Sequence, residues 1–194
     1  MDEKVEKVLR RIERENEAEK VWIVGPETGQ VLYDLVREVG PRVALEIGTS
    51  VGYSAIWIAS ALRDSEVDGA SLGAKLWTVE SHAERFARAE GNIAEVGLDG
   101  VIMQVKGHAP EVFSQGPSMP EELGFAFFDA TKNEHVSYFE AVFPLMQPGG
   151  MIVVDNVISH AEEMAEFLDM LKNHEKLECE LVRVGSGLLV CRVL

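Results

Sequence analysis

Val43-Ala44-Leu45-Glu46-Ile47-Gly48-Thr49-Ser50-Val51-Gly52-Tyr53-Ser54 decides how this chain is read. Val43, Leu45 and Ile47 are apolar and favour a strand. Gly48 and Gly52 bracket a sharp turn. Tyr53 to Leu62 then carries apolar residues at helical spacing. A strand, a glycine turn and a helix leave bare backbone and a helix N-terminus at the carboxyl edge of a sheet, where open α/β sheets bind ligands. The stretch lacks the G-x-G-x-x-G of a dinucleotide site, and no Gly-Lys-Ser/Thr follows to make a P-loop. Taken alone it fits any βα turn of a doubly wound domain.

Upstream, Asp2 to Lys20 is strongly charged, with Val5, Val8, Leu9 and Ile12 at helical spacing. This predicts an N-terminal amphipathic helix over residues 1–20. Its stripe is narrow for an internal helix, so a contact in a homodimer is expected. Gly25-Pro26 opens a helix that runs to about Val39, and Gly40-Pro41 ends it. Arg63 to Lys75 reads as a loop.

Downstream, Leu76 to Val79 is a strand ending at Glu80, and His82 to Val96 an Ala-rich helix. Val101 to Val105 is a strand leading to Gly107-His108. Phe113 to Glu122 is a polar surface segment. Phe125 to Phe128 is a buried strand ending at Asp129, and Glu134 to Met146 a helix closed by Pro148-Gly149-Gly150. Met151 to Val154 is a strand ending at Asp155-Asn156, and Ala161 to Asn173 a helix. Leu177 to Val184 and Leu188 to Val193 form a hairpin around Gly185-Ser186-Gly187. The alternation predicts one α/β domain over 1–194, with a doubly wound, mostly parallel seven-stranded sheet and an antiparallel C-terminal hairpin.

The 33 acidic against 18 basic residues give a net charge of −15. That disfavours nucleic acid and anionic membranes, which require a basic face. No apolar run approaches the ~18 residues of a transmembrane helix, and the charged N-terminus lacks the apolar region of a signal peptide. Cys179 and Cys191 form no C-x-x-C. They read as buried thiols of a reducing, cytoplasmic compartment in preference to a disulfide between neighbouring strands.

In a parallel sheet Glu80, Asp129 and Asp155-Asn156 face one crevice. Glu80 ends the strand beside the glycine turn, where a carboxylate can accept ribose hydroxyls, although Gly52 to Glu80 exceeds the ~20 residues of a dinucleotide fold. Asp129, Asp155 and Asn156 supply hard oxygen ligands with no Cys or His cluster, which suits Mg²⁺, Mn²⁺ or Ca²⁺. Lys132 is either a surface lysine or a general base, and a neighbouring metal ion disfavours a lysine's charged form. His160 reads as a helix-start residue before a base or substrate contact. His82, His108, His135 and His174 show no ligand spacing.

These residues resemble the class I S-adenosylmethionine-dependent O-methyltransferases of the divalent-metal group that includes catechol and caffeoyl-CoA O-methyltransferases. The resemblance rests on Val24-Gly25-Pro26-Glu27-Thr28-Gly29-Gln30, on Leu45 to Ser54, on Phe128-Asp129-Ala130-Thr131-Lys132 and on Gly149 to Val157. It covers roughly residues 20–194. It implies a Rossmann-like methyltransferase fold and S-adenosylmethionine held by Val24, Glu46, Gly48, Thr49, Ser54 and Glu80, with Glu80 on the ribose. His108 and Ala109 stand where the family contacts adenine. Asp129 would serve both cofactor and metal, Asp155 and Asn156 would complete the metal ligands, and Lys132 would be the catalytic base. The implied acceptor is a small hydroxylated, catechol-like molecule. His108 replaces an acidic residue of several relatives, and His160 to Glu178 leaves little room for the segment that usually shapes the acceptor pocket, so that pocket is open or completed by a partner chain. Three other readings compete: a tRNA hydroxyl methyltransferase, a non-catalytic cofactor-binding module and a nicotinamide oxidoreductase. The acidic charge, the intact Asp129/Lys132/Asp155/Asn156 set and the missing G-x-G-x-x-G count against them in turn.

Overall fold

The computed structural model describes residues 1–67, 73–115 and 120–194. The strands are β1 (Val43–Ile47), β2 (Lys75–Glu80), β3 (Ile102–Lys106), β4 (Leu123–Phe128), β5 (Met146–Val154), β6 (Leu177–Val182) and β7 (Leu188–Val193). They form one sheet in the order β3-β2-β1-β4-β5-β7-β6. The first five run parallel, and β7 lies antiparallel between β5 and β6. β4 is buried at every position and β1 at four of five, because helices cover both faces of the sheet. The expected doubly wound sheet with its antiparallel hairpin is therefore the observed one.

The helices are α1 (Glu3–Glu19), α2 (Pro26–Val39), α3 (Tyr53–Val67), α4 (Ala83–Val96), α5 (Glu111–Gln115), α6 (His135–Val142) and α7 (Ala165–Lys172). The Asp2 carboxylate caps α1 by accepting from the Val5 amide at 2.9 Å. The stripe of α1 is spent inside the chain. Val5, Val8, Leu9 and Ile12 are all buried in the core cluster on that face of the sheet. Arg11 pairs with Glu95 of α4, Arg88 of α4 pairs with Glu15, and the Tyr53 hydroxyl donates to Glu13. The stripe, narrow as it is, packs within one chain, so it gives no ground for a dimer contact.

Other expectations are corrected. α3 runs on to Val67, taking the first residues of the expected Arg63–Lys75 loop, and residues 68–72 of that loop lie outside the described residues. The segment expected to be polar surface from Phe113 overlaps α5, and its residues 116–119 lie outside the description. The helix expected over Glu134–Met146 is α6 flanked by short 3₁₀ turns at Lys132–Glu134 and Phe143–Leu145. Pro144 ends the α-helical ladder, and β5 then takes in Pro148, Gly149 and Gly150 beside a register shift against Leu123 and Phe125. The helix expected from Ala161 starts at Ala165; the segment before it is a run of turns, in which the Ala165 amide bonds to the Glu162 carbonyl, and the amides of Val157, Ile158 and Ser159 tie its start to the carbonyls of Gly187 and Ser186. Cys179 and Cys191 are not free thiols. They lie directly opposite each other on β6 and β7 and form a disulfide, which removes the basis for the reducing-compartment reading. No helix among the described residues is long and apolar enough to cross a membrane.

Candidate active site

Ile47 is in register with Val79 on one side and Phe128 on the other, and Phe128 with Val154. Gly48, Glu80, Asp129 and Asp155 each follow one of these residues, so they leave the sheet in one row. They border a cavity of about 560 Å³ at its carboxyl edge. Val24, Thr49, Ser54, His108, Ala109, Lys132 and Asn156 line the same cavity. The sheet therefore gathers the expected site residues in one place, with the exception of Glu46.

Glu46 is not among the lining residues; it lies fully buried behind the glycine turn. Its Oε2 accepts from the Thr78 hydroxyl. Since Thr78 donates there, the Thr49 hydroxyl donates to Thr78, and Thr49 is turned inward. Burial pushes the Glu46 carboxyl up to about 7 against the pull of the Ser54 and Thr78 hydroxyls. Its Oε1 has no donor among the described residues. A buried acceptor without a donor is the kind of atom that a bound ammonium group or ordered water satisfies.

Gly48 has φ +108°, and a Cβ there would stand 2.1 Å from the Asp129 carbonyl oxygen. Only glycine fits this cradle between β1 and β4. Glu80 is held by backbone at both oxygens: Oε2 accepts from the Ser50 amide at 2.8 Å and Oε1 from the His82 amide at 2.7 Å. Ser50 itself sits at φ +48°, and its hydroxyl donates to the Val21 carbonyl. The turn, the end of β2 and the segment before α2 are thus one bonded unit. Its fixed carboxylate and side-chain-free cradle fit a nucleoside bearing an amino-acid tail.

The opposite wall differs in chemistry. The Lys132 ammonium donates to Asp129 Oδ1 at 3.2 Å and to the Ala130 carbonyl at 2.8 Å. Burial raises the Asp129 pKa, and the Lys132 charge opposes it. Asp155 is pushed up to about 6, by burial first and then by the charge of Asp129. Asp155 Oδ1 accepts from the Asn156 amide at 2.7 Å and from the Ser186 hydroxyl at 2.5 Å. Asn156 stands at φ +67°, a conformation held by its surroundings. Two carboxylates that repel each other beside a carboxamide suit a hard divalent cation. Among the described residues no group of three or more His, Cys, Asp or Glu gathers for a metal, so the side-chain carbonyl oxygen of Asn156 is needed to complete a ligand set. His160 lines the cavity and bonds to Ser159 through Nδ1.

Three further residues of the site carry little signal in the sequence. Ser186 orients Asp155, and its only signal was the glycine-flanked turn. Trp22, 69% exposed, lines the cavity from a segment where Lys20, Trp22 and Gly25 all have positive φ. His135 is fully buried under the Lys132 turn. Its Nδ1 faces the carbonyls of Thr131 and Lys132 at 3.0 and 3.1 Å, so Nδ1 carries the proton and donates. Burial lowers its pKa to about 4, which keeps this brace neutral.

A model of the O-methyltransferase family matches residues 2–194. A catechol O-methyltransferase from Niastella koreensis is 32% identical over 147 residues, which cover 74% of this chain and 62% of that protein. A caffeoyl-CoA O-methyltransferase from Zea mays is 30% identical over 212 residues, 92% of this chain and 74% of that protein. The chain therefore spans less than two thirds of the first of these relatives. Among solved structures, an O-methyltransferase from Bacillus cereus in complex with SAH superposes with a TM-score of 0.81 at 27% identity, covering 100% of this chain and 92% of that one. An O-methyltransferase of tomaymycin synthesis from Streptomyces achromogenes, in complex with SAM, gives 0.81 at 26% identity, covering 100% and 90%.

Proposed function

The chain belongs to the O-methyltransferase family, and from that premise we propose that it moves a methyl group from S-adenosylmethionine to a hydroxyl of a small, catechol-like acceptor with the help of a divalent metal. One observation carries this reading. A single cavity has a backbone-held carboxylate and a glycine cradle on one wall, and Asp129, Lys132, Asp155 and Asn156 on the other.

The donor's ribose hydroxyls are assigned to Glu80, whose orientation the Ser50 and His82 amides fix. Its amino-acid tail is assigned to the Gly48 turn, where no side chain intrudes. Asp129, Asp155 and Asn156 would hold Mg²⁺, Mn²⁺ or Ca²⁺. Such a cation, when bound, lowers the pKa of an acceptor hydroxyl and fixes its position. Lys132 Nζ, which donates as an ammonium in this structure, would have to give up a proton before it could receive the hydroxyl proton, and the charge of a bound cation would favour that loss. Asp129 orients Lys132 through their 3.2 Å contact, and His135 braces the turn that carries it. Walls that fix donor and acceptor in line supply much of the rate gain by positioning. An acidic chain with net charge −15 suits neutral phenolic acceptors better than polyanions.

The test is transfer of labelled methyl from S-adenosylmethionine to a panel of catechols with Mg²⁺, before and after chelation. Metal-dependent methylation of a vicinal diol supports the reading. Full activity of Asp155→Ala in chelator-treated protein contradicts the metal role, and failure to bind S-adenosylmethionine contradicts the whole.

A further inference from the structure

On the rim of the cavity, between the loop after β3 and the start of α6, one histidine faces two carboxylates. His108 Nδ1 lies 2.7 Å from Glu111 Oε2, and its Nε2 lies 3.2 Å from Glu134 Oε2. A neutral imidazole has one N–H and one bare nitrogen. With acceptor oxygens at both nitrogens, a neutral ring would turn a lone pair toward one carboxylate. Only the imidazolium donates to both.

The bridge joins segments beside the cavity that are far apart in the chain. Glu111 belongs to α5 and Glu134 to the turn before α6. Glu134 also accepts from the Tyr138 hydroxyl at 2.6 Å, and Tyr138 lines the cavity. On its other side the loop is anchored where Gly107 donates its amide to the Glu80 carbonyl at 3.1 Å. His108 and Ala109 lie between these two anchors and line the cavity. The loop is therefore a strap running from the end of β2 to α6, and His108 is its fastener on the α6 side.

We propose that the His108 imidazolium, clamped between Glu111 and Glu134, is a positioning residue that straps the loop after β3 across the donor end of the cavity, so that donor affinity carries a proton-dependent component set on this rim. The inference rests on the donor assignment made above for the same cavity. The bond to Glu111 first, and the charge of Glu134 behind it, raise the His108 pKa above its ordinary value. A raised histidine delivers its contribution in full below its free value and loses it as pH climbs through the raised one. The ring is half exposed, so solvent screening keeps the effect modest.

Calorimetry with S-adenosylhomocysteine on wild type and His108→Gln tests this, from about pH 6 to about pH 9. Other buried acids titrate in that range, so the readout is the ratio of the two proteins' affinities at each pH. Wild type should bind about two- to fivefold more tightly at the acid end, and the ratio should close to about one at the alkaline end. Glu134→Gln, which removes the negative charge of the partner in the turn before α6, should likewise reduce the advantage at the acid end. A His108→Gln ratio that stays constant across the range overturns the strap while leaving the donor site intact. Absence of binding by either protein at every pH overturns the donor assignment and the strap with it.

Discussion

The two walls of the cavity are built on opposite principles. At the wall assigned to the donor the carboxylate that lines the cavity is satisfied close at hand, while Glu46 behind it keeps one oxygen without a donor among the described residues. Both Glu80 oxygens take backbone amides, and the Thr49–Thr78–Glu46 chain closes within two adjacent strands. At the wall proposed to hold a metal the groups are kept in tension. Asp129 and Asp155 repel each other and are desolvated together, and the relief comes from a lysine and a hairpin serine. A wall that recognises can be satisfied in advance, whereas a wall that reacts must keep unmet demand for its ligands and for transferred charge.

The sharpest break in this contrast comes from Lys132→Ala. Methyl transfer should fall by about 10²- to 10⁴-fold while S-adenosylhomocysteine binding changes little; steady-state kinetics beside calorimetry separates the two. An equal loss of donor binding would mean that the walls do not act separately. Gly48→Ala is the counterpart at the donor end. It forces a Cβ against the Asp129 carbonyl at a positive φ and should cost about 3 kcal/mol of stability, read by thermal melting. Because the clash pushes on Asp129, this substitution should damage both walls at once.

Ser186→Ala removes a hydrogen bond that holds Asp155 down, so the Asp155 pKa should rise further. Metal affinity should weaken about 10-fold or more, measured by titrating Mn²⁺ against activity, with donor binding intact. The smallest effect has the opposite sign. The Glu46 carboxyl is raised from 4.5 to about 7, so its ionisation weakens the fold as pH rises through that interval. Glu46→Gln should therefore stabilise the unliganded protein above neutrality by roughly 1–2 kcal/mol, after allowing for weaker bonds from Ser54 and Thr78. The gain should vanish below about pH 4.5. Chemical denaturation at two pH values reads it, and a gain of equal size at low pH would refute the cause given.

The same division explains what could be read from residues alone. Apolar runs ended by an acid located β2, β4 and β5, and the glycine turn located the cavity, because these are local signals. The α1 stripe was visible but its destination was not, since burial of Val5 and Ile12 depends on how α3 and α4 pack. Glu46 was legible as polar, yet its withdrawal behind the turn depends on Thr78, a residue of the next strand. The Ser186 bond to Asp155 spans the α7 excursion, and the Cys179–Cys191 pair needed the exact hairpin register. His108 revealed neither of its carboxylates, because one of them depends on where α6 begins.

In the proposed function one cavity would hold a methyl donor on its backbone-fixed wall and a divalent cation on its tensed one. A crystal grown with S-adenosylhomocysteine and Mn²⁺, measured at the manganese absorption edge, tests both halves together. Nucleoside density at Glu80 and one anomalous peak bounded by Asp129, Asp155 and Asn156 are expected. Density for the nucleoside with no anomalous peak among those three residues would contradict the proposed function.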